Sequence, residues 1–344
     1  MTDSASSAAP VLLTSGLDEA WLTELSGRAE QARGDLSASL TLAREVADRH
    51  PTPGVGGTAE LWSALATLGA VDLGVARIVE PHLDAIGILT QAGVGIDPDA
   101  TYGVFAAEGP GMRLEAAETG EGWRLSGQKP WCSLAGELSH ALVTAWTAPD
   151  SRRLFSIPLA QVQVLDRPWP SRGLAEVPSG PIEMQRVTGD PVGDDGWYLR
   201  RPGFWWGGCG VAAVWFGGAV GLARSLRAAA GKREPDQVAQ MLLGQVDVAL
   251  HSARLALADA ARRADGDDET PGEVVMGRTR LAVHDACELV LRSVGHGLGP
   301  APLTQDEQHA KRVTDLEVYL RQCHAERDEA ALGRSLVANL QVAW

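Results

Sequence analysis

Positive charge and long apolar runs are scarce in this chain of 344 residues. Lysine and arginine number 30 against 44 acidic residues, which gives a net charge of −14 at pH 7. Because such a surface repels phosphates, the composition argues against a nucleic-acid partner. The apolar stretch GCGVAAVWFGGAVGLA (208–223) is shorter than a membrane span, so it predicts a buried core helix and no membrane segment.

Cysteine is also rare, and its spacing excludes two classes of protein. No Cys-x-x-Cys pair occurs, so the sequence predicts neither a zinc site nor a disulfide framework. The cysteines are Cys132, Cys209, Cys287 and Cys323. The first residues lack the basic segment and apolar run of a signal peptide, and they predict a disordered tail over residues 1–14. We therefore expect a cytoplasmic protein.

Hydrophobic periodicity divides the rest of the chain into three zones. Apolar residues recur at helical spacing over residues 15–100, which predicts an N-terminal helical domain interrupted by HPTPGVGGT at 50–58. Asp72 is the expected cap of the last helix in this zone. Over residues 101–200 the period changes to two, and short alternating runs such as HALVTAWT predict an antiparallel β-barrel or sandwich.

The third zone, residues 201–344, returns to the helical period. Its amphipathic runs predict four long helices, the last being DEQHAKRVTDLEVYLRQCHAERDEAALGRSLVANL (306–340). The predicted fold class is therefore α+β, with an N-terminal helical domain, a middle β domain and a C-terminal four-helix bundle.

Three stretches of the sequence resemble the acyl-CoA dehydrogenase superfamily. GWRLSGQKPWCSLAGELSHALVTA (122–145) resembles its G-x-x-L-x-G-x-K-x-W-[I/C]-[T/S] signature, and YGVFAAEGPG (102–111) is similar to its Y-x-x-T-E-P strand and loop. DLEVYLRQCHAERDEAALG (315–333) resembles the terminal helices of the branch that includes flavin-dependent hydroxylases. The resemblance covers about residues 58 to 335 and implies a divergent member of this fold that binds FAD.

The resemblance also implies which residues contact the cofactor. A tryptophan at the position of Trp131 packs against the flavin ring, and a hydroxyl at the position of Ser133 hydrogen-bonds its reactive edge. The strand and loop would contribute Phe105, Ala107 and Gly111, although an alanine stands where the family has threonine.

Two further cofactor contacts are implied beyond the β zone. Lys232 and Arg233 stand where the family neutralises the flavin diphosphate, and we take Arg233 as the candidate. His296 lies in RSVGHGLGP, the counterpart of a turn that reaches the flavin of the adjacent subunit. The alternative interpretation is a solvated basic pair and a structural histidine.

The expected catalytic base is missing from its family positions. Acyl-CoA dehydrogenation needs a carboxylate in a dry pocket, where burial raises its pKa towards neutrality. The resemblance places Cys323 at one such position and Gly207 or Gly208 at the other. Glu326 and His324 are the remaining candidate catalytic residues, unless AERDEAALGR is simply a charged solvent face.

Three functions follow from this combination. The first is an FAD-dependent dehydrogenase acting on the CH–CH group of an acyl-CoA thioester. The second is a two-component flavin monooxygenase of the same fold. The third is a non-catalytic partner subunit, associated with a homologous chain, that has kept the fold and lost the base. The resemblance also implies a homodimer or homotetramer.

Overall fold

The computed structural model describes residues 9–49, 52–165, 169–231, 236–266 and 269–342. The helices are α1 (Glu19–Gln31), α2 (Leu36–Arg49), α3 (Thr58–Val71), α4 (Leu73–Ala92), α5 (Trp197–Arg200), α6 (Gly203–Gly231), α7 (Gln237–Ala264), α8 (Gly272–Leu298), α9 (Ala301–Gln305), α10 (Glu307–Leu320) and α11 (Glu326–Ala338). The strands are β1 (Tyr102–Phe105), β2 (Leu114–Thr119), β3 (Gly122–Lys129), β4 (His140–Ala148), β5 (Ser151–Pro158), β6 (Gln163–Val164) and β7 (Ile182–Val192).

The N-terminal helices meet where the sequence predicts a cap. The carboxylate of Asp72 accepts hydrogen bonds from the backbone amides of Gly74 and Val75, which begins α4. Nearly every residue of α3 is buried, as its apolar sequence on all sides requires. The predicted helical zone and its cap are therefore confirmed.

The predicted disorder of residues 1–14 is wrong for the part of this segment that the structure describes. Val11 and Leu13 are buried, and their amides donate to the hydroxyls of Thr67 and Ser63 at 2.9 and 3.1 Å. Two apolar side chains and two α3 hydroxyls thus hold this stretch on the helical core. Residues 1–8 lie outside the described residues.

The strands close into a barrel. β4, β2, β3, β7 and β5 are neighbours in that order, and β5 pairs again with β4. β1 and β2 pair in succession with β4, and both run parallel to it. The prediction of an antiparallel β-barrel or sandwich is supported in part: the strands close on themselves, but these two pairings are parallel. Inside the barrel, Phe105, Leu125 and Phe155 belong to a core of its own.

The C-terminal zone differs from the prediction in its last helix. α6, α7 and α8 are long helices that pack together, whereas the predicted fourth helix is split into α10 and α11. Ala325 breaks it, because its backbone is left-handed with φ of 45°. The side chain of Asp328, in the first turn of α11, accepts a hydrogen bond from the backbone amide of His324 at 3.0 Å.

Helix α6 joins the N-terminal and C-terminal zones into one helical core. A side chain at Gly217 would overlap the carbonyl of Ala66, and one at Gly69 would overlap the carbonyl of Val214. α3 and α6 therefore cross at backbone distance. The apolar stretch 203–230 is long enough to cross a membrane, but 72% of its most apolar window is buried in the fold, as in a core helix.

This crossing predicts opposite effects for two glycine substitutions. Gly217→Ala is expected to lower the free energy of unfolding by about 1–3 kcal/mol, because the methyl group forces α3 away from α6. Gly27→Ala, in the interior of α1 with nothing within 4 Å, should be neutral or raise it by up to about 1 kcal/mol. Urea unfolding measures the free energy of unfolding of both variants. A Gly217→Ala variant as stable as the wild type would refute the close crossing.

Candidate functional site

The signature stretch contains a glycine, Gly127, that the barrel requires. Gly127 has φ of 120°, and a side chain there would overlap the carbonyl oxygen of Arg113 on the neighbouring strand. The pairing of β3 with β7 shifts register between Leu125 and Gly127. This bulge lies two residues before Lys129, at the end of β3.

A buried ion pair joins the two sequence motifs. The Nζ of Lys129, 1% exposed, lies 2.6 Å from a carboxylate oxygen of Glu108 and 2.9 Å from the hydroxyl of Thr144. Burial lowers the pKa of Lys129. Burial also acts to raise the pKa of Glu108, but the hydrogen bond and charge of Lys129, with hydrogen bonds from Trp146 and Arg152, outweigh it and lower that pKa. Arg152 contacts the same carboxylate at 3.2 Å. The loop after β1 is thereby held against the end of β3.

Two left-handed residues then fold the chain after β3. Trp131 has φ of 59° and Leu134 φ of 57°. The amide of Leu134 donates to the carbonyl of Pro178 at 2.8 Å, and the amide of Cys132 donates to that of Gly180 at 2.9 Å, which holds this turn. As a result Trp131 is 60% exposed while Ser133 is buried. Unusual backbone of this kind persists where surrounding contacts enforce it.

The Ser133 hydroxyl is the start of a polar chain that leads away from the barrel. It lies 2.8 Å from the hydroxyl of Ser179 and 3.1 Å from a guanidinium nitrogen of Arg77 on α4. The same guanidinium lies 3.4 Å from a carboxylate oxygen of Glu80, which also accepts a hydrogen bond from the hydroxyl of Tyr319 at 3.4 Å. The signature of the β zone is thus connected to α4 and α10.

Glu80 lies on the wall of a cavity of about 560 Å³ among α4, α6, α8 and the turn before α11. A volume of this size suits a small organic molecule. Its charged and histidine lining residues are Glu80, Asp84, Arg201, Glu273, Arg280, His324 and Asp328. Its aromatic and apolar lining includes Tyr198, Phe204, Trp205, Val211, Met276, Leu281 and Leu332.

Two arginines of this cavity are fixed by neighbouring oxygens. Arg201, 3% exposed, lies 3.1 Å from the carboxylate of Asp84 and 2.9 Å from the side-chain oxygen of Gln91. Arg280 donates to the carbonyls of Gly208 and Gln322 at 2.8 and 3.1 Å. The cavity therefore presents fixed positive charge beside its carboxylates.

The Glu80 carboxyl has an unusual proton affinity. Burial raises its pKa to about 7, and the charge of Asp84 adds to this. Arg77, the Tyr319 hydroxyl and Arg280 act in the opposite direction. The side chain is 11% exposed, so it reaches the cavity while most of it is desolvated. A carboxyl with these properties exchanges its proton near neutral pH.

A second cavity, of about 400 Å³, adjoins the first. It lies against the barrel at Ala106, Thr144 and Trp146, and it shares Tyr198 and Phe204 with the first cavity. The rings of Tyr198 and Phe204 pack edge to face at 5.5 Å. These two side chains separate the second cavity, against the barrel, from the first cavity, among the helices.

The structure separates the predicted cofactor residues of the first strand and loop. Phe105 is wrong as a side-chain contact, because strand alternation points it into the barrel core, where it is 2% exposed. Ala107 and Gly111 are exposed in the loop after β1. Ala106, on the opposite face of the strand from Phe105, lines the second cavity instead.

The remaining candidates also disperse. His324 lines the first cavity, with its Nδ1 3.6 Å from Asp328. Glu326 is wrong as a base in a dry pocket, because it is exposed in the first turn of α11 and outside the cavity lining. His296 is exposed near the end of α8, and Arg233 lies outside the described residues. Burial raises the pKa of the Cys323 thiol, which disfavours a thiolate base.

Helix α4 carries a charged face that the hydrophobic periodicity did not predict. Arg77, Glu80 and Asp84 stand at positions i, i+3 and i+7 of a helix that is otherwise largely buried. That spacing places all three on one face. Charged residues in such a pattern on an apolar helix were the available signal, although the sequence alone did not show what they face.

The architecture defines a class: the chain has the acyl-CoA dehydrogenase fold. It is similar to a structure described as PigA with FAD and proline, with 15% identity over 90% of this chain and 92% of that one and a TM-score of 0.76. Butyryl-CoA dehydrogenase from Megasphaera elsdenii matches 82% of this chain and 83% of its own at 16% identity, with a TM-score of 0.73. A nitrososynthase from Micromonospora carbonacea var. africana matches 93% and 94% at 18%, with a TM-score of 0.71. No protein-family model and no curated sequence matches the chain.

The buried ion pair predicts an asymmetry between its two partners. Glu108→Gln is expected to lower the free energy of unfolding by about 3 kcal/mol, because the enclosed Lys129 ammonium loses its countercharge. Lys129→Met should cost less, since the Glu108 carboxylate is one-third exposed and keeps Arg152. Urea unfolding at pH 7 compares them, and a greater loss for Lys129→Met would contradict this assignment.

Proposed function

We propose that this chain is a flavin-dependent oxidoreductase that oxidises a small molecule held in the 560 Å³ cavity. One observation carries the proposal: the hydroxyl of Ser133 in the signature stretch is linked through Arg77 to the cavity carboxyl of Glu80. A redox cofactor at the signature would therefore lie at one end of a polar chain, and a substrate at the other. The fold shared with FAD-containing structures supports this class of reaction.

The residues present fit the reactive edge of a flavin. Trp131 leaves a large aromatic surface uncovered, as a flat ring requires. Ser179 donates to the carbonyl of Val177, so Ser133 donates to Ser179, accepts from Arg77 and keeps one lone pair for a further donor. When bound, FAD would supply two-electron redox chemistry at this point. Ala107 supplies no hydroxyl.

The polar groups in the cavity favour a short or polar substrate. A long fatty acyl chain would leave Glu80, Asp84 and Arg201 without water and without new partners, which is costly. A short acyl thioester with a polar group suits the cavity better. Its CH–CH group would be oxidised, and the adjoining 400 Å³ cavity offers space for the remainder of the molecule.

Monooxygenation is the second candidate reaction, and a specific observation favours it. The family positions for the base hold Cys323, whose thiol has a raised pKa, and two glycines that face other side chains. Reduced flavin from a separate reductase would then react with oxygen, with His324 at the cavity wall as an acid or base. The non-catalytic partner subunit is disfavoured, because an inactive chain has no need of a polar network that connects the signature to the cavity.

A homodimer or homotetramer completes the proposal. Helix α7 presents an exposed apolar stripe of Val238, Met241, Val248 and Leu255, all between 49% and 66% exposed. Their spacing of three, seven and seven residues places them along one face of the helix. An apolar stripe on a long surface helix suits burial against a second copy.

The proposal predicts that Trp131 contributes to flavin binding. The purified chain should take up FAD, and Trp131→Ala should weaken its affinity about tenfold, or about 1.4 kcal/mol, through loss of aromatic contact. Trp21→Ala on α1, remote from the signature, is the control and should bind FAD as the wild type does. Absorbance and fluorescence titrations measure this. A chain that binds no FAD would sink the proposed function.

Substrate-dependent redox assays separate the two candidate reactions. Bleaching of the flavin absorbance by a panel of short acyl-CoA thioesters, without a reductase, identifies a dehydrogenase. Product formation only with NADH, oxygen and a flavin reductase identifies a monooxygenase. Activity that appears only after mixing with a homologous chain identifies the partner subunit.

The apolar stripe predicts which surface forms the oligomer. Val248→Asp on α7 is expected to shift the chain towards monomer by at least tenfold in dissociation constant, because a charge is placed in a dry interface. Val337→Asp on α11, a residue 73% exposed and outside the stripe, should leave assembly unchanged. Analytical ultracentrifugation measures both, and a wild-type chain that is strictly monomeric would refute the interface.

A further inference from the structure

Glu80 is placed where a molecule in the cavity meets the polar chain from the signature. One of its carboxylate oxygens contacts Arg77 and Tyr319, each at 3.4 Å. The distances are long for charge-assisted contacts, so neither partner forms a short ion pair with the carboxyl, which stays available to a bound molecule. By contrast, Asp84 on the same helix lies 3.1 Å from the buried Arg201.

The start of α6 explains why a carboxylate comes from α4. A Cβ at Gly207 would lie 3.0 Å from a carboxylate oxygen of Asp84, and one at Gly208 would lie 2.6 Å from the sulfur of Met276. A side chain at either position would have to displace the end of a side chain that lines the cavity. The glycines of α6 therefore make room for the charged face of α4.

We propose that Glu80 is the catalytic acid–base residue of this cavity, and that Arg77 positions it. This inference rests on the proposed function. The Glu80 carboxylate accepts a proton from the bound substrate: an O–H bond forms, the substrate's C–H or N–H bond breaks, and the electron pair stays on the substrate. In the dehydrogenation, the neighbouring atom of the substrate loses a hydride, which the proposed flavin would accept when bound, and the retained electron pair forms the new double bond. The proton afterwards leaves to water.

The surroundings of Glu80 determine when it carries this proton. Charged and titratable groups face it from four helices and from the segment before α6, and they are Arg77, Asp84, Tyr198, Arg201, Arg280 and Tyr319. With the pKa raised to about 7, the folded state binds a proton that the unfolded chain releases near pH 4.5. Stability from this site is therefore lost as the pH rises between these values.

The first test needs neither flavin nor substrate. Relative to Glu80→Gln, the folding equilibrium of the wild type should weaken on the order of 100-fold between pH 5 and pH 8. Glu317→Gln, an exposed glutamate on α10 outside the cavity lining, is the control and should follow the wild-type pH dependence. Infrared spectra should also show a carboxylic C=O band that titrates near pH 7 and is missing in Glu80→Gln. Parallel pH curves for the wild type and Glu80→Gln would overturn the inference.

The second test uses the flavin-loaded enzyme and whichever thioester or reductase-dependent substrate it converts. Glu80→Gln should lose at least about 100-fold in kcat with FAD affinity unchanged, whereas Glu317→Gln should stay within about threefold. Glu80→Asp should recover part of the lost kcat, and its kcat should show a pH profile of its own. Arg77→Lys should shift the pH, near neutrality, at which kcat changes, without abolishing that pH dependence.

The outcomes separate the inference from the function on which it rests. Full turnover by Glu80→Gln overturns the catalytic assignment while the oxidoreductase stands. A chain that binds no FAD and converts no substrate overturns the proposed function and, with it, the catalytic role of Glu80. A neutral titration in the first test would then establish only the proton site.

Discussion

The guanidinium of Arg77 is the polar link between the barrel and the helices. The apolar core of the helices extends onto the barrel through Tyr102, Leu142 and Leu154, but this non-directional packing does not by itself specify which polar groups face each other. Arg77 contacts Ser133 on the barrel side and Glu80 on its own helix, and it lies over the ring of Tyr319. Because a planar guanidinium donates in fixed directions, these contacts orient the signature towards the cavity.

Small residues make this arrangement possible. The α6 glycines let α3 approach at Gly217 and let side chains of α4 and α8 approach at Gly207 and Gly208. The same glycines leave α6 with no carboxylate of its own at the cavity. Packing and chemistry are thus linked. Helix α6 carries glycines that let its neighbours approach, and the charged groups beside these glycines come from α4.

Local patterns predicted the elements better than the contacts between them. The alternation in HALVTAWT and the Asp72 cap were confirmed because strand period and capping are properties of neighbouring residues. The long final helix was wrong because left-handed Ala325 is not apparent from an amphipathic pattern. The side chain of Phe105 points into the barrel core, because a shift of one residue along a strand reverses the face.

By itself, the sequence determined the order of helical and β zones, the signature stretch of residues 122–145 and the scarcity of basic charge. It also placed Arg77, Glu80 and Asp84 on one helix face. Only the tertiary structure decided that this face meets Ser133, more than fifty residues along the chain, and Tyr319, more than two hundred and thirty residues along it. The reason is physical: such contacts depend on how helices rotate and approach when distant apolar faces are buried together, and the burial that shifts the proton affinity of Glu80 exists only once they have done so.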